Sequence, residues 1–157
     1  MFPEDFLSVS RIDCTSDATS KKSALQQLSL LLASTSSELS TQEIFDRLYQ
    51  RERISPTALG HGIGLPHARV AGVDEPRGAL LILREGIDFD AIDREPVDLV
   101  FGLIVPEQAE TRHLEILAAL ASLFSQEAIR NRLRICTKPD KIIEEITEWA
   151  ATYKPLA

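Results

Sequence analysis

Residues 97–105 read Val97-Asp98-Leu99-Val100-Phe101-Gly102-Leu103-Ile104-Val105, a nearly continuous apolar run that stops at Pro106. Successive side chains of a strand point to opposite faces, so a strand with one wet face alternates polar and apolar residues. This run does not alternate, and its β-branched residues favour the extended chain, which predicts a strand covered on both faces. Gly78 to Leu83 is a shorter run of the same kind, and a third strand is expected through Leu7 to Ile12. Outward from these strands the period changes. Leu25, Leu28 and Leu32 recur at helical spacing, with Lys21, Lys22, Gln26 and Gln27 on other faces. Ser34 to Thr41 reads as a loop between helices. Ser40-Thr41-Gln42-Glu43 then matches a capping box and opens a helix that uses Ile44 and Leu48 and ends near Ser55-Pro56.

Helical spacing returns downstream at Leu114, Leu117, Ala121 and Phe124, which predicts a buried stripe. A short helix is expected from about Ser125, carried by Ile129 and Leu133. A last helix is expected from Thr137, with Thr137 and Asp140 forming a second capping box around Pro139 and Ile142, Ile143, Ile146 and Trp149 on one apolar face. Helices alternating with fully apolar strands define an α/β sandwich. No linker or repeat divides the chain, so residues 1–157 are read as one domain with its core from about 7 to 150.

Charge removes some function classes. With 17 basic against 24 acidic side chains the net charge is −7, and no basic run occurs, which argues against a nucleic-acid partner. The apolar helical stretch Leu114 to Phe124 contains Glu115 and is too short to span a bilayer, and the start of the chain lacks the pattern of a secretory signal. Cys14 and Cys136 form no disulfide framework and no CxxC metal motif, and both are read as reduced residues of a cytoplasmic protein.

The segment with most chemical potential is Thr57-Ala58-Leu59-Gly60-His61-Gly62-Ile63-Gly64-Leu65-Pro66-His67-Ala68-Arg69, read as a loop. Its glycines permit tight turns and close approach of backbone amides to a ligand, and Pro66 stiffens the chain before His67. A histidine held this way suits a nucleophile that takes a phosphoryl group, since an imidazole keeps a free ring nitrogen near neutral pH. Such a segment is also simply a turn in many proteins. His61 reads as an exposed turn residue. His113 stands in the first turn of the long helix, where free amides and the helix dipole favour an anion, and where a histidine can equally just pack or cap. Arg51 can fork onto a phosphoryl group or stand as a solvated charge at a helix end. Asp88, Asp90 and Asp93 read as a solvated turn between strands. No zinc-binding spacing, GxSxG elbow or P-loop is present, although His61, His67 and His113 could still meet in space. The residues by themselves support a histidine-centred anion or phosphoryl site, and no more.

Gly60-His61-Gly62-Ile63-Gly64-Leu65-Pro66-His67 resembles the G-x-G-[IV]-[AG]-[IL]-P-H signature of the fructose/mannitol-type enzyme IIA of bacterial phosphotransferase systems. Arg51-Glu52 and Thr57 upstream follow in register. So do Asp88-Phe89-Asp90-Ala91-Ile92-Asp93, Pro96 to Phe101, Val105-Pro106 and His113-Leu114 downstream, so that the resemblance covers roughly Leu7 to Ile146. The wording of Asp88 to Val105 is most similar to the nitrogen-related branch. The resemblance implies a mixed β-sheet with helices on both faces and a phosphotransferase component that needs neither cofactor nor metal. It implies that His67 is the phosphorylated residue, charged by a small HPr-type phosphocarrier. His113 is then the second active-site histidine, Arg51 neutralises charge, and Thr57 with the amides near Gly62 completes a phosphate cradle. Two positions depart from the pattern: His61 stands where asparagine is common, and Ala58 where glycine is common.

Three functions follow as expectations. The first is a phosphoryl-accepting regulator, whose phosphorylation state controls partners such as a potassium sensor kinase or transporter. The second is a free-standing IIA component of sugar uptake that donates to a IIB domain. The third is a binding module that has lost phosphorylation, against which the intact His67, His113 and Arg51 speak.

Overall fold

The computed structural model describes residues 2–108 and 110–155. In chain order the described residues form β1 (Ile12–Ser16), α1 (Lys21–Ala33), α2 (Thr41–Ile54), β2 (Ala58–Gly60), β3 (Ile63–Gly64) and β4 (His67–Arg69). Then come β5 (Arg77–Ile87), β6 (Val97–Val105), α3 (Glu110–Phe124), α4 (Glu127–Ile135) and α5 (Pro139–Thr152). The strands join in one mixed sheet of order β1-β5-β6-β3-β2, with β4 also paired to β6. β5 and β6 are antiparallel, while β1 runs parallel to β5, and β3 and β4 run parallel to β6.

β6 is the axis of the molecule. Leu99, Phe101, Leu103 and Val105 face one apolar layer with Ile116, Leu120 and Leu123 of α3, Leu133 of α4 and Ile142 of α5. Val100 and Ile104 face the other layer, with Leu25, Leu28 and Leu32 of α1 and Ile44 and Leu48 of α2. Helices therefore cover both faces, and that is why the run from Val97 to Val105 lacks alternation. Asp98, the one charged residue in the run, is half-buried and pairs with Arg134 of α4. Gly102 has no side chain because α1 lies against it: a Cβ there would meet Leu28 Cδ2 at 3.0 Å. Leu28 is fully buried at this contact. Leu28→Ala is expected to lower the unfolding free energy by about 2–5 kcal/mol, measured by urea titration.

Several expectations are corrected. The segment Leu7 to Ile12 is not a strand; Val9–Arg11 make a 3₁₀ turn and β1 begins at Ile12. The cause is Arg11, 3% exposed, whose guanidinium donates to Gly78 O at 2.9 Å and Asp5 O at 2.6 Å and draws the chain into the turn. On α3, Leu114 and Ala121 are exposed, and the buried stripe is Ile116, Ala119, Leu120, Leu123 and Phe124. α5 begins at Pro139 with Lys138 as N-cap, and the Thr137–Asp140 box does not form, since proline at the first helical position sets the boundary. Ser40 caps α2 through the amide of Glu43, whereas a full capping box stands at Ser20 and Ser23 of α1. Cys14 and Cys136 are free and half-buried. Burial pushes the Cys14 thiol up.

Candidate functional site

The segment 57–69 is not a loop. It folds as three short strands, because its backbone groups lie against the sheet and must be paired. Gly60 and Gly62 adopt φ of +88° and +80°, with His61 between them at +55°. Histidine, like asparagine, is tolerated in this left-handed region, which accounts for His61 at a position where asparagine is common. Ala58 lies in β2 and is not among the residues with positive φ, so alanine there is unstrained.

His67 opens β4, opposite Leu103 of the central strand, and is half-buried. Its Nδ1 lies 2.8 Å from the carbonyl of Leu65. A carbonyl only accepts, so Nδ1 carries the proton and the neutral ring presents a lone pair at Nε2. The ring of His113 meets that of His67 edge-on, with centroids 5.5 Å apart and an interplanar angle of 77°. His113 is 9% exposed, and neither of its ring nitrogens has a hydrogen-bond partner among the described residues. Leaving a buried polar group unpaired costs about 1–3 kcal/mol, so the unpaired ring at the edge of His67 is a candidate for a hydrogen bond from outside the chain.

Arg51, in the last turn of α2, donates from Nη1 to Ser55 O at 3.0 Å. It lines both depressions that flank His67. One, of about 300 Å³, also holds Arg47, Arg69 and His113. The other, of about 350 Å³, is bounded by Thr57, Leu59 and Leu117. Thr57 is buried, and its hydroxyl and amide both bond the carboxylate of Glu52. Of the five residues expected at the site, His67, His113, Arg51 and Thr57 therefore converge. Gly62 does not. It lies under Arg134 and Asp98, where a Cβ would stand 2.8 Å from Asp98 Oδ1, and its carbonyl accepts from the amides of Asp98 and Leu99. His61 is exposed on that same side, away from the other histidines, so the three do not meet. The acidic turn is also more than solvated: Asp93 accepts from the His61 amide and Asp90 pairs with Lys21. Among the described residues no group of three or more metal-ligating side chains converges, and no helix is long and apolar enough to cross a membrane.

Electrostatics keep both imidazoles neutral. Burial lowers the pKa of His67, the bond to Leu65 and the charge of Glu52 oppose that, and Arg51 adds to it. Burial, with His67, Arg69 and Arg51 close by, pushes His113 down to about 4. Because His113 titrates lower when folded than its ordinary value of 6.5, the unfolded chain takes up the proton first as pH falls. Stability is therefore expected to be lost between 6.5 and about 4, with a limiting slope from this group of about 1.4 kcal/mol per pH unit. Urea midpoints of the parent and His113→Leu across that window check this, and the variant should show the shallower dependence.

Shallow depressions, an imidazole with Nε2 free and a converging arginine form a pocket whose chemistry suits an anion. Residues 5–149 match the family described as the phosphoenolpyruvate-dependent sugar phosphotransferase system EIIA 2, and the chain belongs to it. It is 39% identical over 129 residues to the nitrogen regulatory protein of Pseudomonas aeruginosa, an overlap of 82% of this chain and 84% of that one. The crystal structure of nitrogen regulatory protein IIA-Ntr from Neisseria meningitidis superposes with a TM-score of 0.85 at 40% identity, covering 90% of this chain and 96% of that one. The chain is also 34% identical over 136 residues to the 2-O-α-mannosyl-D-glycerate-specific EIIABC component of Escherichia coli, covering 85% of this chain and 21% of that protein.

In the sequence Glu52 is marked only as the neighbour of Arg51, and neither Arg69 nor the Leu65 carbonyl is marked as part of the site. For Glu52 the adjacency to Arg51 was the available signal. For the carbonyl there was none, since a backbone acceptor has no letter of its own.

Proposed function

We propose that this chain is a cytoplasmic, phosphoryl-accepting regulatory enzyme IIA of the nitrogen-related phosphotransferase branch. The observation that carries the reading is the His67–His113 pair, with Nδ1 of His67 held on Leu65 O and an unpartnered imidazole at its edge. The lone pair of His67 Nε2 attacks the phosphorus of a phosphohistidine on an HPr-type carrier. The carrier's P–N bond breaks and its electron pair returns to the carrier's ring nitrogen. The Nδ1 proton of His67 stays on Nδ1, donated to the Leu65 carbonyl, throughout. His113 and Arg51 receive the phosphoryl oxygens, with the charge stabilised by donors already in place, and Thr57 supports the wall beside them. No metal or other cofactor enters this scheme.

The donor is a protein because the site is shallow and ringed by exposed apolar side chains. Ile54 is 80% exposed, Leu59 43% and Leu114 68%, a surface suited to a protein contact and poor at enclosing a small molecule. Phosphorylation adds about −1.5 to −2 charges beside this apolar ring, enough to create or abolish an interface. The regulated partners proposed are a potassium sensor kinase or transporter.

The test is intact-protein mass after incubation with phosphoenolpyruvate, enzyme I and each HPr-type carrier in turn. One acid-labile phosphate, taken fastest from a nitrogen-branch carrier, is the expected result. No phosphate from any carrier overturns the reading. Likeness to the mannosylglycerate EIIABC component supports a second reading, donation to a sugar-specific IIB domain. Passage of the phosphoryl group from this chain to such a domain and on to sugar would establish it.

A further inference from the structure

Glu52 follows Arg51 on α2, yet it points the other way and is 5% exposed. Its Oε1 accepts from the amide of Thr57 at 3.0 Å and from Lys21 Nζ at 3.2 Å, and its Oε2 accepts from Thr57 Oγ1 at 2.5 Å. Lys21 also pairs with Asp90 Oδ2 at 2.9 Å and lies 4.7 Å from the ring centroid of the fully buried Phe89. From Thr57 the bonding continues toward the nucleophile. The Thr57 carbonyl accepts from the Leu65 amide at 3.1 Å, and the Leu65 carbonyl accepts from His67 Nδ1 at 2.8 Å. Hydrogen bonds joined through the backbones of Thr57 and Leu65 thus connect a buried carboxylate to the imidazole.

Helix formation does not explain these charges. Glu52 is an acid in the last turn of α2, and Lys21 is a base at the first residue of α1. Each opposes the dipole of its own helix, and each is buried or nearly so, which costs free energy unless it is fully paired. Local rules broken in pairs and repaired by each other are expected where a site needs the arrangement.

We propose that Glu52 is a positioning residue for His67: acting through Thr57 and the backbone of Leu65, its carboxylate fixes the carbonyl that sets the tautomer and aim of the imidazole. The inference rests on the reading of His67 as a phosphoryl acceptor. It places Thr57 as the link in that series, since its hydroxyl and amide are both taken by Glu52.

The experiment pairs two readouts on Glu52→Ala, Thr57→Val and Thr57→Ser. The first is the ring-nitrogen NMR spectrum of His67, which distinguishes a proton on Nδ1 from one on Nε2. The second is the single-turnover rate of phosphoryl uptake as a function of carrier concentration. In Glu52→Ala and Thr57→Val the second tautomer is expected to appear. The rate at saturating carrier should fall by about 10- to 100-fold, as for a nucleophile misplaced by an ångström or less, with the half-saturating carrier concentration unchanged. Thr57→Ser should restore both readouts. A folded Glu52→Ala or Thr57→Val that keeps the single Nδ1–H tautomer and the parent's rate overturns the proposal. So does an effect on half-saturation alone. Should Glu52→Ala not fold, the Thr57 pair decides, because Thr57→Val preserves shape. The nitrogen spectrum needs no phosphoryl donor, so a parent that takes no phosphate sinks the proposed function while the spectrum still judges Glu52.

Discussion

Replacing His67 with alanine is expected to abolish phosphoryl uptake completely while leaving the protein folded. Loss should be total because no second nucleophile can stand in. His113 is 9% exposed and has, among the described residues, no backbone acceptor that fixes one ring nitrogen as a free lone pair, as Leu65 does for His67, and His61 projects on the Arg134 side of the sheet. The fold should survive because β4 is held by backbone pairing to β6, which alanine preserves. What disappears is one hydrogen bond to the Leu65 carbonyl, about 1–2 kcal/mol for a half-buried group. Intact mass and a urea titration on the same sample check both halves. An acid-labile phosphate on His67→Ala at the parent's rate would mean that His113 or another group is the acceptor. An unfolded variant would mean that the histidine is chiefly structural.

How much of this was legible in the chain depended on whether a side chain or the backbone carries the information. β6 was read correctly because burial on both faces leaves a compositional mark, an apolar run with no alternation. α1 was read correctly for the related reason that Leu25, Leu28 and Leu32 are all buried on one stripe. α3 was placed, and of its expected stripe Phe124 is buried and Leu117 packs on the core, whereas Leu114 and Ala121 face outward. Its leucines and alanines fit two overlapping helical stripes, and Leu114 and Ala121 belong to the exposed one, with Ala121 lining a depression beside His67. Exposed apolar residues mislead periodicity, because the pattern counts them as core although they face solvent. The segment 57–69 was read as a loop because glycine and proline dominate it, whereas its short strands are held by the central strand rather than by their own propensity. His67, His113, Arg51 and Thr57 are brought together by the fold, and each was visible in the chain as a polar side chain with a letter of its own. Gly62 was expected in the cradle from its amide alone, and its positive φ instead serves a turn packed under Arg134 and Asp98.

Arg51→Gln is expected to slow phosphoryl transfer by about 10²–10³-fold, the usual effect of removing one preorganised donor from a developing negative charge. Arg51 stands close enough to both histidines to lower the pKa of each, so its positive charge is felt where the phosphoryl oxygens would sit. One guanidinium nitrogen is anchored on Ser55 O at 3.0 Å, which fixes the fork and leaves its other N–H groups for an anion. Two consequences distinguish this from a loss of packing. Without the arginine, the pKa of His67 should rise toward its ordinary value of 6.5, because one of the causes that lowers it is gone. Arg51→Lys should recover that pKa effect, since charge alone produces it. It should recover little of the rate, because an ammonium group cannot hold Ser55 and present a planar fork together. Single-turnover transfer from a phosphorylated carrier, with His67 titrated by NMR in each variant, separates charge from geometry. A full rate in Arg51→Gln would remove Arg51 from the chemistry and leave His113 as the principal donor. A full rate in Arg51→Lys would show that charge, without the fork, suffices.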